Sequence, residues 1–211
     1  MGGAVYTKPA MDKWQILVGF LLALYMPLVR PQEILKHPGD AKPEDADTYE
    51  FLEKTRKLWV YNTTAKGNNR DIVCTCDVQY NITTNEATFY RTKDGKTKEQ
   101  RELFKAKFIR WNGDEDVFNA MEITNINGRS FPPRYEILEY ANASTGCAVF
   151  SILDYDQGMV SEREIRVSES ALKGDLDKNC TNRFNEILKI ARRNATSYYD
   201  ASCQAQKSTF S

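Results

Sequence analysis

Histidine is nearly absent from this chain: His37 is the only one. It sits in a Pro- and Gly-bearing stretch, so no Ser-His or Cys-His nucleophile pair and no histidine-rich metal centre can be assembled on a folded domain. Charge of one sign is lacking as well, with 29 Lys+Arg against 29 Asp+Glu. No broad field of either sign therefore argues for nucleic acid or an anionic membrane surface as a partner. A phosphate-cradling Gly-rich loop is missing. The longest apolar run, Ile16 to Val29, has fourteen residues, short of the ~20 that cross a bilayer as a helix. These absences argue against catalysis, against a resident metal or cofactor, and against a membrane span.

What is present points outward from the cell. The apolar run follows Met11-Asp-Lys-Trp-Gln and is closed by Pro27 and Arg30. That is the shape of a secretory signal, so residues 1–31 are expected to be a targeting segment whose working start is Met11. Residues 32–42, with Pro, Gly and charge, read as a flexible lead-in, and 43–211 as one domain of ordinary size. Five sequons, at Asn62, Asn81, Asn142, Asn179 and Asn194, give a separate vote for secretion and for surface asparagines there. Asn179 is the odd one, since its middle residue is Cys180. Five cysteines, Cys74, Cys76, Cys147, Cys180 and Cys203, read as bridges in an oxidising compartment. Cys74-Thr-Cys76 has no second close pair and no histidine beside it, which excludes zinc. An odd count leaves one thiol unpaired or bridging to another molecule.

The periodicity predicts a short helix over Pro43–Thr55, with Tyr49 and Leu52 on one face, and then a change to period two. Strands are expected at Lys57–Lys66, Arg70–Ile82, Thr88–Thr92, Leu103–Trp111, Val117–Ile126, Tyr135–Tyr140, Cys147–Asp154 and Glu162–Val167. Turn signals separate them at Asp94-Gly95, Asn112-Gly113-Asp114, Asn127-Gly128 and Gln157-Gly158. Phe184, Ile187, Leu188 and Ala191 form one helical stripe between Lys178 and Arg193. About eight antiparallel strands suggest a closed barrel or a sandwich; an eight-stranded barrel holds one small ligand.

Cys180-Thr-Asn-Arg-Phe-Asn-Glu opening the last helix, with Cys203 near the end, resembles the tick salivary lipocalins of the histamine-binding protein type. Cys76 nine residues before Asn85-Glu86, and Asp47-Thr-Tyr-Glu-Phe-Leu near the start, continue the likeness across most of Asp47 to Cys203. The resemblance implies an all-β fold: an eight-stranded antiparallel lipocalin barrel with a short N-terminal helix and a C-terminal helix. It also implies the bridges Cys76–Cys203 and Cys147–Cys180, with Cys74 left over or substituting for Cys76, and a monomer unless Cys74 links two copies. Amine-binding members carry Cys-Asp-Val, then Glu-Leu-Trp/Tyr, then Cys. Here the frame is Cys147-Ala148-Val149, Glu164-Ile165-Arg166 and Cys180, so Ala148 replaces the aspartate and Arg166 the aromatic residue.

A buried amine needs a carboxylate, and Glu164 keeps the family's acid. Arg166, two residues on, shares its face; it either pairs with Glu164 or grips a ligand carboxylate. Arg110 shares parity with Phe104, Ala106 and Phe108, placing it inward or at the rim. Further pocket candidates are Asp47, Tyr49, Trp59, Tyr61, Trp111, Phe108, Phe118, Glu122 and Tyr135, although Asp47 also suits a helix cap. What the resemblance implies is a secreted binder of a small host mediator, histamine or serotonin by default, that suppresses host inflammation and defence. An anionic lipid such as a leukotriene or fatty acid, or a host protein such as a complement component, stands as the alternative.

Overall fold

The computed structural model describes residues 47–65, 74–92, 101–111, 117–127, 133–154 and 159–205. The signal and lead-in readings, His37 and most of the predicted turns fall outside the described residues. Helix α1 (Thr48–Lys54) starts at Asp47, whose carboxylate accepts from the Glu50 N–H, a side-chain cap that satisfies one of the open donors of the first turn. It buries Thr48, Phe51 and Leu52. Eight strands follow: β1 (Lys57–Thr63), β2 (Cys76–Ile82), β3 (Glu86–Thr92), β4 (Glu102–Ile109), β5 (Ala120–Asn125), β6 (Arg134–Asn142), β7 (Cys147–Asp154) and β8 (Met159–Ser168). They pair antiparallel in chain order, and β1 pairs with both β8 and β2, which closes the sheet into a barrel. Closure removes the unpaired edges that an open sheet would expose.

Two apolar layers form on the two faces of this wall. Inside, Phe51, Leu52, Leu58, Phe89, Phe108, Met121, Ile123, Leu138 and Phe150 pack together, so α1 seals one end of the lumen. Outside, helix α2 (Lys178–Ala191) lays Cys180, Phe184 and Ile187 on Val149, Ile165 and Val167. The β6–β7 turn needs Gly146 at φ +65°; a Cβ there would stand 2.0 Å from the Ser168 hydroxyl, so a side chain is excluded by both conformation and space. After α2 come a two-residue strand β9 (Thr196–Ser197) on β1 and helix α3 (Ser202–Ala205), neither of which the periodicity announces.

Asp177 caps α2, accepting from the Asn179 and Cys180 N–H groups, and it also receives Thr145 Oγ1, Asn142 Nδ2 and Tyr140 Oη. Burial alone would raise its carboxyl, but these donors together hold it below the usual range. Cys147 is bridged to Cys180, tying β7 to α2. The second bridge corrects the family-derived pairing: Cys203 joins Cys74 and not Cys76. Cys74, Cys76 and Trp59 share the outer surface on which the C-terminal segment lies. The path of that segment brings Cys203 to the residue just before β2, and Cys76 remains a buried thiol whose Sγ lies 3.8 Å from the Asp77 carbonyl. With Cys74 bridged, it is not available to link two copies of the chain.

Candidate functional site

Period-two alternation aims Asp77, Arg91, Glu136, Glu164 and Arg166 into the barrel from β2, β3, β6 and β8, above the apolar layer. Arg91 grips Asp77 with two bonds of 2.7 Å, and its third arm donates to Glu136 at 3.0 Å. Arg166 Nε donates to Glu164 Oε2 at 2.7 Å, and Nη2 lies 2.6 Å from the same oxygen. Its Nη1 donates to Glu136 Oε2 at 2.5 Å and stands 3.5 Å from Asp77 Oδ2. Glu136, fully buried, therefore sits between two guanidiniums. Burial would raise its carboxyl; Arg166 and Arg91 overcome that and hold it far below the carboxylate range. Burial would lower both arginines, but the carboxylates beside them hold each above its ordinary value. At the rim Arg134 reaches Glu162 at 3.3 Å, Glu136 at 3.7 Å and Glu164 at 4.0 Å.

The ion pairs of this network join four acids, Asp77, Glu136, Glu162 and Glu164, to three bases, Arg91, Arg134 and Arg166, one negative charge in excess within the network. Arg56, at the edge of the adjoining cavity, is a further base outside it. This cavity is narrow, about 20 Å³, with room for about one water and well below the volume of a ligand site. Leu52, Leu58, Ala87, Phe89 and Met121 give it apolar walls, Asp77 and Arg166 are its deep polar groups, and exposed Arg56 stands with Thr55 and Gln79 at its edge.

The predicted site residues divide between the two faces. Glu164 and Arg166 point inward and pair with each other. Phe108 lies in the interior cluster, with Phe118 and Tyr49 packed on it at 6.1 and 6.2 Å between ring centroids. The Tyr49 hydroxyl donates to Glu53, and Asp47 is the cap of α1 rather than a lumen group. Trp59 is on the outer surface against Tyr199, as is Tyr61. Glu122, between the inward Met121 and Ile123, faces out, as does Tyr135, between the inward Arg134 and Glu136; Trp111 packs on Tyr135. These placements correct Trp59, Trp111, Glu122 and Tyr135 as lumen residues: both wall faces carry aromatics, so size alone does not tell inside from outside. Arg110 is exposed, over the Phe118 ring at 5.4 Å.

Asp77, Arg91 and Glu136 are the residues that sequence reasoning missed. A signal existed for two of them. Arg91 continues the parity of Ala87 and Phe89, and Glu136 that of Leu138, so each charge stands on an apolar face. Among the sequons, Asn81, Asn179 and Asn194 are exposed, while Asn62 is half-buried in β1 and the half-buried Asn142 holds Asp177.

A closed eight-stranded antiparallel barrel, one end sealed by a short helix and the outer wall braced by a C-terminal helix, is the lipocalin fold. No protein-family model matches the chain, and no curated protein does. Among solved structures it is similar to AM182 in complex with serotonin, at 14% identity and a TM-score of 0.53, over 75% of this chain and 92% of that one. Lobster apocrustacyanin A1 overlaps at 13% identity and a TM-score of 0.47, over 74% and 83% of the two chains. Likeness at such identity concerns the fold alone. No described helix is long and apolar enough to cross a membrane.

Proposed function

We propose that this protein is a secreted lipocalin that sequesters a small cationic mediator, a biogenic amine such as serotonin or histamine, and so blunts a host's inflammatory defence in the manner of the tick salivary proteins its motifs resemble. The observation that carries this reading is the one-charge excess of acids in the buried ion-pair network next to a cavity with apolar walls. A protonated amine balances the network's charge, and its aromatic body enters by widening the lumen along these apolar walls. Asp77 is the carboxylate on the cavity wall; it receives the ammonium by sharing its oxygens with Arg91, which already donates to both, and Glu164 holds Arg166 in place. Two disulfides and five sequons support an oxidising, extracellular setting. The serotonin bound by AM182 makes that amine the first to try.

An anionic lipid is the second reading, favoured by Arg166 on the cavity wall. Against it, every arm of Arg166 already faces a carboxylate, so a lipid carboxylate would meet three like charges.

Calorimetric titration of the full chain, expressed in a secretory host, separates these readings. Serotonin and histamine are expected to bind and leukotriene B4 not to. Asp77→Asn, checked for an intact cooperative melt, should weaken amine binding by at least about tenfold, some 1.4 kcal/mol. Leukotriene binding without amine binding overturns the proposal in favour of the lipid, and silence with all three moves it to a protein partner.

A further inference from the structure

The lumen already contains a positive charge held as a ligand's would be. The Arg166 guanidinium is 2% exposed and lies 4.6 Å from the centroid of the Phe150 ring. Three carboxylates surround it: Glu164 at 2.6 Å, Glu136 at 2.5 Å and Asp77 at 3.5 Å. Buried carboxylates and an aromatic face are the surroundings that recognise a protonated amine or guanidine out of water. Across the β7–β8 ladder Arg166 is paired with Ala148, which is itself buried and contributes only a methyl group. The long stem of the arginine therefore passes a wall position that holds no competing acid.

We infer that Arg166 is a tethered internal cation: it fills the strongest cation subsite of the lumen, and limits guests to a single positive charge, received at Asp77. This rests on the reading of the lumen as a cation site. A tethered group competes at an effective concentration in the millimolar range or above, so a free guanidinium ion at similar concentration does not displace it. Without the tether the same subsite is open, lined by acids that lack their cation.

The test is rescue by the missing group. Arg166→Ala leaves two negative charges in excess and so risks misfolding; Arg166→Ala with Glu164→Gln keeps the excess at one. Melting is followed with about 50 mM guanidinium chloride against equal sodium chloride, far below the molar range in which guanidinium denatures. Both alanine variants are expected to gain roughly 5 °C in guanidinium over sodium, and wild type and Arg166→Lys none. If a variant does not fold alone, it is refolded in each salt; recovery in guanidinium only supports the inference, and equal failure overturns it. Folded variants that do not distinguish the two salts, or a wild type that gains equally, also overturn it. Putrescine, a diamine, should bind Arg166→Ala at least about tenfold tighter than wild type; equal binding removes the charge limit. Rescue without amine binding by the wild type leaves this inference standing and removes the proposed function. Amine binding without rescue does the reverse.

Discussion

Glu136→Gln tests whether the lumen network holds the barrel together. The Glu136 carboxylate is the shared partner of Arg166, Arg91 and Arg134, at 2.5, 3.0 and 3.7 Å. Glutamine keeps one acceptor but turns an NH₂ toward guanidinium donors, and the two buried arginines lose the charge between them. Removing one partner of a buried pair costs about 3–5 kcal/mol. Because the substitution also cancels the single excess negative charge, the lower end applies, about 3 kcal/mol, or a fall of roughly 6–12 °C in melting midpoint for a domain of this size. Acid should then narrow the gap. The folded carboxyl of Glu136 lies well below its ordinary 4.5, so its contribution is whole above that pH and is lost as pH falls from there toward the folded value. The variant has no such group to titrate. Urea unfolding of both proteins from neutral to about pH 3 reads both effects. A gap under about 1 kcal/mol at neutral pH, or one unchanged through the acid range, would refute the reasoning.

The Cys74–Cys203 bridge closes a separation of 129 residues and Cys147–Cys180 one of 33; on the chain-entropy estimate they contribute about 4–5 and 3–4 kcal/mol. Peptide mapping without reduction should find Cys76 as the thiol. In Cys74→Ala the bridge should move to Cys76–Cys203, because the two positions share one outer surface; a thiol at Cys203 in that variant would count against this. Asp177→Ala removes the cap of α2 and the partner of Thr145 and Asn142, and should cost about 1–2 kcal/mol. The wild-type contribution of Asp177 is lost as pH falls through its depressed folded value. Chemical denaturation at two pH values checks both points, and a variant as stable as wild type at neutral pH would show that α2 does not depend on its cap.

Local pattern was enough for the strands, the terminal helix and the shared face of Glu164 and Arg166, because period two and period 3.6 are properties of neighbouring residues; it leaves open whether the two pair. The same alternation leaves Ile165 and Val167 on the opposite, outer face. It failed where both wall faces are buried: Trp59 and Val60, or Val149 and Phe150, are all inaccessible, since α2 and the C-terminal segment cover the outside of β1, β7 and β8. Under that cover the alternation of apolar and polar residues disappears, and Trp59 loses any mark of which side it faces. The partners of Arg166 were out of reach for a different reason. Asp77 and Glu136 lie 89 and 30 residues away in the chain, and only barrel closure, with β1 bonded to both β8 and β2, carries them to one point. The choice of Cys74 over Cys76 has the same origin: two cysteines on one face are equivalent until the segment carrying Cys203 arrives beside one of them. Element type is set by adjacent residues, whereas the lumen's charge balance is a sum over strands that meet only when the barrel closes.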